Sequence, residues 1–226
     1  MLVKDWMSKT VVTVNQSDSM HDAVKLMKEN DIRMLPVLKK DKLVGVVTDR
    51  DLKRASASDS TLLAINELLY LVDKIKVKEL MTKDPITVPP DFTVEETAEV
   101  LLNNKISGAP VVDHDGKIVG TITQTDIFKV LISLTGVSKR GISFAFMLED
   151  RPGSIKEVAD IIREYGGRMA SIMSSYEGVK KGYRKVYIRD YGIDRTKLEE
   201  LKGELRKKAN MLYVVDHREH KRDVYK

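Results

Sequence analysis

The 226-residue chain contains no cysteine, which excludes disulfides, thiolate nucleophiles and Cys-ligated zinc or iron–sulfur centres. No apolar run approaches the roughly 18–20 residues that cross a membrane. The first seven residues include Lys4, Asp5 and Trp6, so they do not resemble a signal peptide. We therefore expect a soluble, cytoplasmic protein that makes no contact with a membrane.

Catalytic signatures are also missing. The sequence has no phosphate loop of the Gly-x-x-x-x-Gly-Lys type, no His-Glu-x-x-His, no Gly-x-Ser-x-Gly and no Gly-x-Gly-x-x-Gly. Of its four histidines, His217 and His220 are three residues apart, but this pair lacks the helical setting of a metal site. These absences predict a protein that is not an enzyme and that requires no metal or cofactor.

Positive charge is concentrated near the C-terminal end. The whole chain has a net charge of +5, whereas residues 179–226 alone hold 15 basic and 8 acidic side chains. Such a segment can contact nucleic acid or an anionic ligand. A solvated helix face followed by a basic, frayed tail at 218–226 explains the same run. We favour this second interpretation because charge runs of this kind are common on protein surfaces.

The first two thirds of the chain contain an internal repeat. Val3–Met7 matches Val77–Met81 at an offset of 74 residues, and Gly45–Asp51 matches Gly120–Asp126 at an offset of 75. Between these segments, each copy carries an apolar–Pro–Val stretch. The constant order and spacing indicate two structural units of the same kind.

Each copy has the pattern of a βαββα unit. A short strand precedes an amphipathic helix with an N-cap at Ser19 or Thr93, and two apolar strands and a second helix follow. Two such units, 1–59 and 76–135, cannot each close a core, so we expect them to pack on one another, joined by a helical linker at 60–75. The predicted short strands are Val11–Val14 and Ile86–Val88, and the predicted apolar helix faces are Met20, Ala23, Val24 and Met27, then Val94, Ala98, Leu101 and Leu102.

The pattern changes after a linker at 136–141. Pro152-Gly153 interrupts the chain after the next strand, and Gly166-Gly167 ends the helix that follows. The order of elements over 142–217 predicts a ferredoxin-like βαββαβ domain of the α+β class. Its predicted elements are Ile142–Leu148, Ile155–Tyr165, Met169–Tyr176, Tyr183–Asp190, Lys197–Ala209, with Asp194 as the cap, and Met211–Val215.

Residues 1–135 resemble a pair of CBS domains, also called a Bateman module. The doubled glycine–apolar–apolar–Thr-x-x-Asp ending and the doubled apolar–Pro–Val strand carry the resemblance. In that family the Thr-x-x-Asp motif holds the ribose and phosphates of an adenosine ligand such as AMP, ADP, ATP or S-adenosylmethionine, and the opposite repeat contacts the adenine. The resemblance implies an α/β-type fold for each repeat and two ligand clefts.

The resemblance assigns residues to two nucleotide sites. Because an arginine such as Arg50 favours phosphate charge, we expect AMP, ADP or ATP rather than S-adenosylmethionine. The same Thr-x-x-Asp is also a capping box, so a purely structural role stays open. Site one comprises Thr48, Arg50 and Asp51 with Ile86, Ile106 and Ser107, and site two comprises Thr123, Thr125 and Asp126 with Val12, Ile32 and Arg33.

Residues 140–217 resemble an ACT domain. The turn Asp150-Arg151-Pro152-Gly153 carries the resemblance, and the Gly166-Gly167 stop and the strand around Ile172 support it. In that family the first turn contributes to amino-acid effector sites between paired domains, and a helix start after the turn suits a carboxylate. The candidate effector residues are Asp150, Arg151, Pro152 and Gly153.

Two CBS repeats followed by an ACT domain resemble the acetoin-utilisation type of CBS–ACT regulatory protein. We therefore predict a non-catalytic sensor that binds an adenine nucleotide and relays its state through the ACT domain or a homodimer interface. Two alternatives stay open: a nucleic-acid-associated regulator that uses residues 179–226, and a ligand-free structural or interaction module whose Thr-x-x-Asp motifs only cap helices.

Overall fold

The computed structural model describes residues 1–59 and 74–225, without the side chains of 56–59. The predicted helical linker at 60–75 lies almost entirely outside the described residues. The chain divides into two compact units, Met1–Phe128 and Lys129–Lys226. Among the residues that the structure describes, no helix is both long and apolar enough to cross a membrane.

The first unit contains the two sequence repeats. Its sheets have the strand orders β1-β2-β3-β4 and β5-β6. The first repeat consists of α1 (Val3–Trp6), β1 (Val14–Asn15), α2 (Met20–Glu29), β2 (Met34–Lys39), β3 (Lys42–Thr48) and α3 (Asp49–Asp59). The second consists of α4 (Val77–Leu80), β4 (Thr82–Lys83), α5 (Val94–Asn103), β5 (Gly108–Val112), β6 (Ile118–Thr123) and α6 (Gln124–Thr135).

The predicted short strands are shorter than expected. Only Val14 of the first stretch belongs to β1, and Ile86–Val88 is reduced to a parallel bridge between Val88 and Val111. Prolines at positions 85, 89 and 90 surround that bridge. Because proline donates no backbone hydrogen bond, the ladder cannot extend far on either side of it.

The predicted caps of α2 and α5 are confirmed. The Asp22 amide donates to Ser19 Oγ at 3.1 Å, and the Glu96 amide donates to Thr93 Oγ1 at 3.1 Å, each within a reciprocal capping box. The predicted apolar face of α5 was partly wrong, because Leu102 is 75% exposed and Thr97 is buried in its place. Thr97 tolerates burial because its hydroxyl donates to the Thr93 carbonyl at 3.0 Å.

The two repeats exchange their leading segments. Val3 of α1 belongs to the core of the second repeat, where its amide donates to the Phe92 carbonyl at 2.9 Å. Val77 of α4 belongs to the core of the first repeat, where its amide donates to the Asp18 carbonyl at 3.0 Å. Each repeat therefore completes the core of the other, which makes the first unit a single packed structure.

The second unit is built on one antiparallel sheet of order β11-β10-β7-β9-β8. Phe144 and Phe146 of this sheet and Ile162 and Leu201 of its helices are fully buried in one core. The elements are β7 (Ile142–Glu149), α7 (Ser154–Glu164), β8 (Arg168–Ser175), β9 (Tyr183–Tyr191), α8 (Leu198–Lys208), β10 (Asn210–Asp216) and β11 (Lys221–Val224), with 3-10 turns at Val137–Lys139 and Arg195–Lys197.

The interpretation of 218–226 as a frayed tail was wrong. Lys221–Val224 form β11, which pairs with β10 in the register Val215 to Arg222. Asp223 accepts from buried Lys202 at 2.5 Å, and the guanidinium of Arg206 lies 4.9 Å from the ring centre of Tyr225. These contacts offset the conformational entropy that the chain loses when residues 221–225 become ordered. The pairing with β11 also gives hydrogen-bond partners to backbone groups at the edge of β10.

Gly203 of α8 gives a direct test of helix propensity. A Cβ at this exposed position meets no atom within 4 Å. We expect Gly203→Ala to stabilise the second unit by about 1 kcal/mol, because alanine loses less backbone entropy in a helix. The measurement is urea denaturation followed by circular dichroism. Gly116→Ala is the control: its surroundings are equally open, but its φ of +79° disfavours alanine, so this variant should gain no stability.

Candidate functional site

The two Thr-x-x-Asp motifs form matching caps where a strand passes into a helix. At the start of α3, Thr48 Oγ1 donates to Asp51 Oδ2 at 2.6 Å, and the Thr48 amide donates to the same oxygen at 2.9 Å. At the start of α6, the corresponding distances from Thr123 to Asp126 are 2.7 and 3.0 Å. We call these the first cap and the second cap.

Both caps have the chemistry of an adenosine subsite. Asp51 and Asp126 are half-buried, whereas Arg50 and Thr125 are exposed beside them in the first helical turn. The start of a helix of 11 or 12 residues presents free backbone N–H groups and a positive dipole end, which favour a phosphate. A carboxylate at the same place can accept hydroxyl protons of a ribose.

Arg33 and Ser107 lie beside the cap of their own repeat. The Asp49 amide donates to the Arg33 carbonyl at 3.0 Å, and the Gln124 amide donates to the Ser107 carbonyl at 2.9 Å. The strand registers agree, because Met34 is opposite Thr48 and Gly108 is opposite Thr123. These contacts are made by the backbone of Arg33 and Ser107. The predicted grouping of the Arg33 side chain with the second cap, and of the Ser107 side chain with the first, stays a prediction.

The apolar residues predicted for the two nucleotide sites also pack within their own repeats. Val12 and Ile32 pack against the core of the first repeat, and Ile106 packs against the core of the second. Ile86 is 39% exposed, so its side chain is accessible to a ligand. The Gln124 side-chain amide donates to the Ile106 carbonyl at 3.3 Å, which again links this residue to its own cap.

The two caps therefore differ in charge. Arg50 and the backbone of Arg33 lie beside the first cap, whereas Thr125 and the backbone of Ser107 lie at the matching positions of the second cap. This arrangement of the backbone follows from the hairpin of each repeat, because in an antiparallel pair the first residue of one strand lies next to the last residue of the following strand.

The turn at Asp150–Gly153 borders a cavity of about 320 Å³ in the second unit, lined also by Lys208. Arg151 forms a two-pronged pair with Glu157, at 2.7 and 3.0 Å, and its Nε donates to Glu149 at 3.0 Å. The Arg151 guanidinium, with the Lys208 ammonium, holds the pKa of Glu157 at about 2. A carboxylate ligand at Arg151 would therefore compete with Glu157, and the amino-acid site at this turn stays a prediction.

The model of the CBS domain matches residues 3–58 and 77–133. Inosine-5'-monophosphate dehydrogenase of Korarchaeum cryptofilum is 39% identical over 120 residues, which are 53% of this chain but only 22% of that enzyme. A CBS domain-containing protein of Dictyostelium discoideum is 35% identical over 136 residues, which cover 59% of this chain and 92% of that protein.

Solved structures show the same likeness. The CBS domain pair of protein MJ0100, in complex with 5'-methylthioadenosine and S-adenosyl-L-methionine, has a TM-score of 0.50 and 32% identity, and the match covers 58% of this chain and 95% of that one. A Vibrio cholerae protein named for acetoin utilization, AcuB, has a TM-score of 0.50 and 29% identity, with coverage of 62% and 96%. Since the family model matches both repeats, the chain belongs to the CBS-domain family.

Proposed function

We propose that this protein is a non-catalytic regulator that binds an adenosine ligand at each of its two caps. The observation that carries the proposal is the duplicated cap, in which a half-buried aspartate stands at the start of a helix directly after a strand. The MJ0100 pair, which is in complex with two adenosine compounds, supports this choice of ligand.

The chemistry of each site follows from its cap. Asp51 or Asp126 accepts from the ribose hydroxyls, and the first backbone N–H groups of α3 or α6 hold the phosphate or the 5' substituent. Ile86, which is partly exposed, is available to contact an adenine at its apolar face. Among the described residues, the two caps supply hydrogen-bonding groups and no activated nucleophile, so we expect no turnover of the ligand.

The difference in charge between the caps selects different ligands. The first cap, with Arg33 and Arg50 beside it, is suited to AMP, ADP or ATP, because a guanidinium pairs strongly with phosphate oxygens. The second cap, with Ser107 and Thr125, has no cation at these two positions and can accept a ligand with a neutral or positive 5' group, such as S-adenosylmethionine. This proposal revises the expectation of a single preference for nucleotides.

Regulation requires that the ligand bind one arrangement of the protein better than another. We propose that the second unit is an ACT-type domain and that it relays the ligand state, either directly or through a homodimer in the cytoplasm. The βαββαβ order of β7 to β10 and the turn at Asp150–Gly153 support this assignment.

Calorimetric titration with AMP, ADP, ATP and S-adenosylmethionine tests the proposal. We expect Asp51→Ala to weaken nucleotide binding by about 10- to 100-fold, because it removes charge-assisted hydrogen bonds to the ribose. Asp126→Ala should weaken the binding of S-adenosylmethionine to a similar extent, and the double variant should bind both ligands about 10- to 100-fold more weakly. Arg33→Ala should weaken the binding of the nucleotide only, and Thr125→Ala should weaken the binding of S-adenosylmethionine only.

The chain offers matched controls. Asp22 and Glu96 form the same capping box at α2 and α5, away from the two proposed sites. Asp22→Ala and Glu96→Ala remove an equivalent cap, so they should cost similar stability and leave every ligand affinity unchanged. Full affinity in the Asp51→Ala/Asp126→Ala variant would show that these motifs only cap helices, and hydrolysis of ATP by the purified protein would contradict the non-catalytic assignment.

A further inference from the structure

One face of the five-stranded sheet in the second unit is packed against α7 and α8. The other face is contacted at one end by residues 135–139, where the Thr135 carbonyl accepts from Ser171 Oγ at 3.1 Å and Lys139 lies over the Tyr191 ring. In β9, Val186, Ile188 and Asp190 are buried on the helix side. Successive side chains of a strand point to opposite faces, so the intervening residues lie on the face away from the helices. These intervening residues are Tyr183, Lys185, Tyr187, Arg189 and Tyr191, in which aromatic and basic side chains alternate.

Two rows of residues cross this face, which we call the open face. The register places Arg222, Val215, Ser143 and Arg189 in one row over four adjacent strands. The neighbouring row contains Tyr213, Ala145 and Tyr187, and the rings of the two tyrosines are 6.4 Å apart, with Ala145 fully buried between them. The open face therefore combines a basic row with an aromatic row.

The basic row has unused binding capacity. Among the described residues, Arg189 Nη1 is buried without a hydrogen-bond partner. Ser143, which is opposite Arg189 in this row, has its Oγ 3.0 Å from His217 Nε2. Burial lowers the pKa of Arg189 and of His217, as expected where cations lack a counter-charge. Because Nη1 is buried, an oxyanion reaches this guanidinium only when the Arg189 side chain turns outward, and pairing there would remove the cost of the unsatisfied donor.

The carboxylate next to His217 does not neutralise this row. Asp216 is buried on the helix side, where its two oxygens accept from Arg195 at 2.7 and 3.0 Å. Glu149, at the far end of the open face opposite Tyr183, is bound to Arg151. Positive charge therefore dominates the middle of the open face.

We propose that the open face binds single-stranded nucleic acid. From Tyr183 to Tyr191, β9 spans about 27 Å at roughly 3.4 Å per residue, which is too long for one small phosphate ester and long enough for several nucleotides. Bases stack on Tyr187 and Tyr213, while Arg189 and Arg222 pair with the phosphates. At the two ends, Lys180 lies 4.4 Å from the ring centre of Tyr183, and Lys139 lies 5.4 Å from that of Tyr191, so both ends carry further positive charge.

Fluorescence anisotropy of the full chain with a labelled oligouridine of about 12 nucleotides tests the proposal. Saturating AMP and S-adenosylmethionine are present, so that the caps cannot contribute to binding. We expect saturable binding that weakens with salt, and about tenfold weaker binding for Tyr187→Leu and for Arg189→Gln. Arg189→Gln should also reduce the slope of log affinity against log salt by about 1, whereas Tyr187→Leu should leave it unchanged.

The control variants change the same residue types away from the open face. Lys207→Gln removes an exposed charge from α8, and Tyr176→Leu removes a tyrosine that is 57% exposed after β8. Both should bind the oligouridine normally, and urea denaturation followed by circular dichroism shows whether the second unit of each variant is folded. The proposal fails if the oligouridine does not bind, if the controls lose as much affinity, if a duplex competes equally well, or if inorganic phosphate alone displaces the oligouridine at an equal concentration.

Discussion

Replacing Gly120 by valine is expected to destabilise the first unit by about 3 kcal/mol, a large fraction of the 5–15 kcal/mol that typically holds a domain together. A Cβ at Gly120 would lie 2.8 Å from the Ser8 carbonyl oxygen and would also collide with the Met7 sulfur. The Ser8 backbone cannot withdraw easily, because it exchanges two hydrogen bonds with Thr121, at 2.9 and 3.0 Å. The side chain therefore breaks the contact through which the leading segment completes the second repeat.

Urea denaturation measures the loss, and amide hydrogen exchange of Val3 locates it. Met7→Ala on the Gly120→Val background separates the two obstacles: it removes the sulfur but not the Ser8 carbonyl, so it should restore only part of the stability. Gly45→Val should be similarly destabilising, since a Cβ there would lie 2.8 Å from the Thr82 carbonyl. An unchanged denaturation midpoint in Gly120→Val would show that the exchanged segment does not hold the repeat together.

The glycine was visible in the sequence, but the reason for it was not. The duplicated pattern around Gly45 and Gly120 predicts two units of one kind, and the family comparison confirms that prediction. Periodicity shows that Val3 and Val77 are apolar positions of short elements, but it carries no information about which repeat receives them. The exchange of segments is a long-range property, decided by the packing of the whole unit.

The two caps also show that local sequence patterns predict local structure but not long-range contacts. Thr48–Asp51 and Thr123–Asp126 could be predicted residue by residue, because a capping box is a local hydrogen-bond pattern. The backbone neighbours of each cap depend on the strand register, which a local pattern does not give, and the predicted grouping of Arg33 with the second cap stays a prediction. The β11 strand was missed for a related reason, since its charged residues show no apolar alternation and are held by pairing with β10.

Asp190 and Asp216 make the stability of the second unit depend on pH in opposite ways. Both lie in one row of the sheet, on either side of Ile142, and both are buried on the helix side. Neither oxygen of Asp190 has a hydrogen-bond partner among the described residues, and burial raises its pKa to about 7, although Arg163 opposes the shift. Burial alone would also raise the pKa of Asp216, but hydrogen bonds from Arg195 outweigh it and hold that pKa at about 2.

The sign of the effect follows from proton binding. Between about pH 4 and pH 7 the folded protein keeps a proton on Asp190 that the unfolded chain has released, so stability falls as the pH rises, by about 1.4 kcal/mol per unit. Above about pH 7 the loss is complete. We expect Asp190→Asn to remove this slope and to stabilise the second unit most at high pH, because the buried amide never has to ionise.

Urea denaturation at intervals from about pH 5 to pH 8 tests this expectation, with Asp216→Asn as the contrast. Asp216 contributes stability that is present above its unfolded pKa and lost as the pH falls from about 4 to 2, so its replacement should destabilise the unit almost equally throughout the tested range. Two aspartates in one row of a sheet thus differ in their hydrogen-bond donors: Asp216 has Arg195 and the amides of Arg218 and Glu219, and Asp190 has no donor among the described residues. A wild-type stability that is flat between pH 5 and pH 8, or an Asp190→Asn variant with the wild-type slope, would mean that Asp190 is ionised and paired in solution.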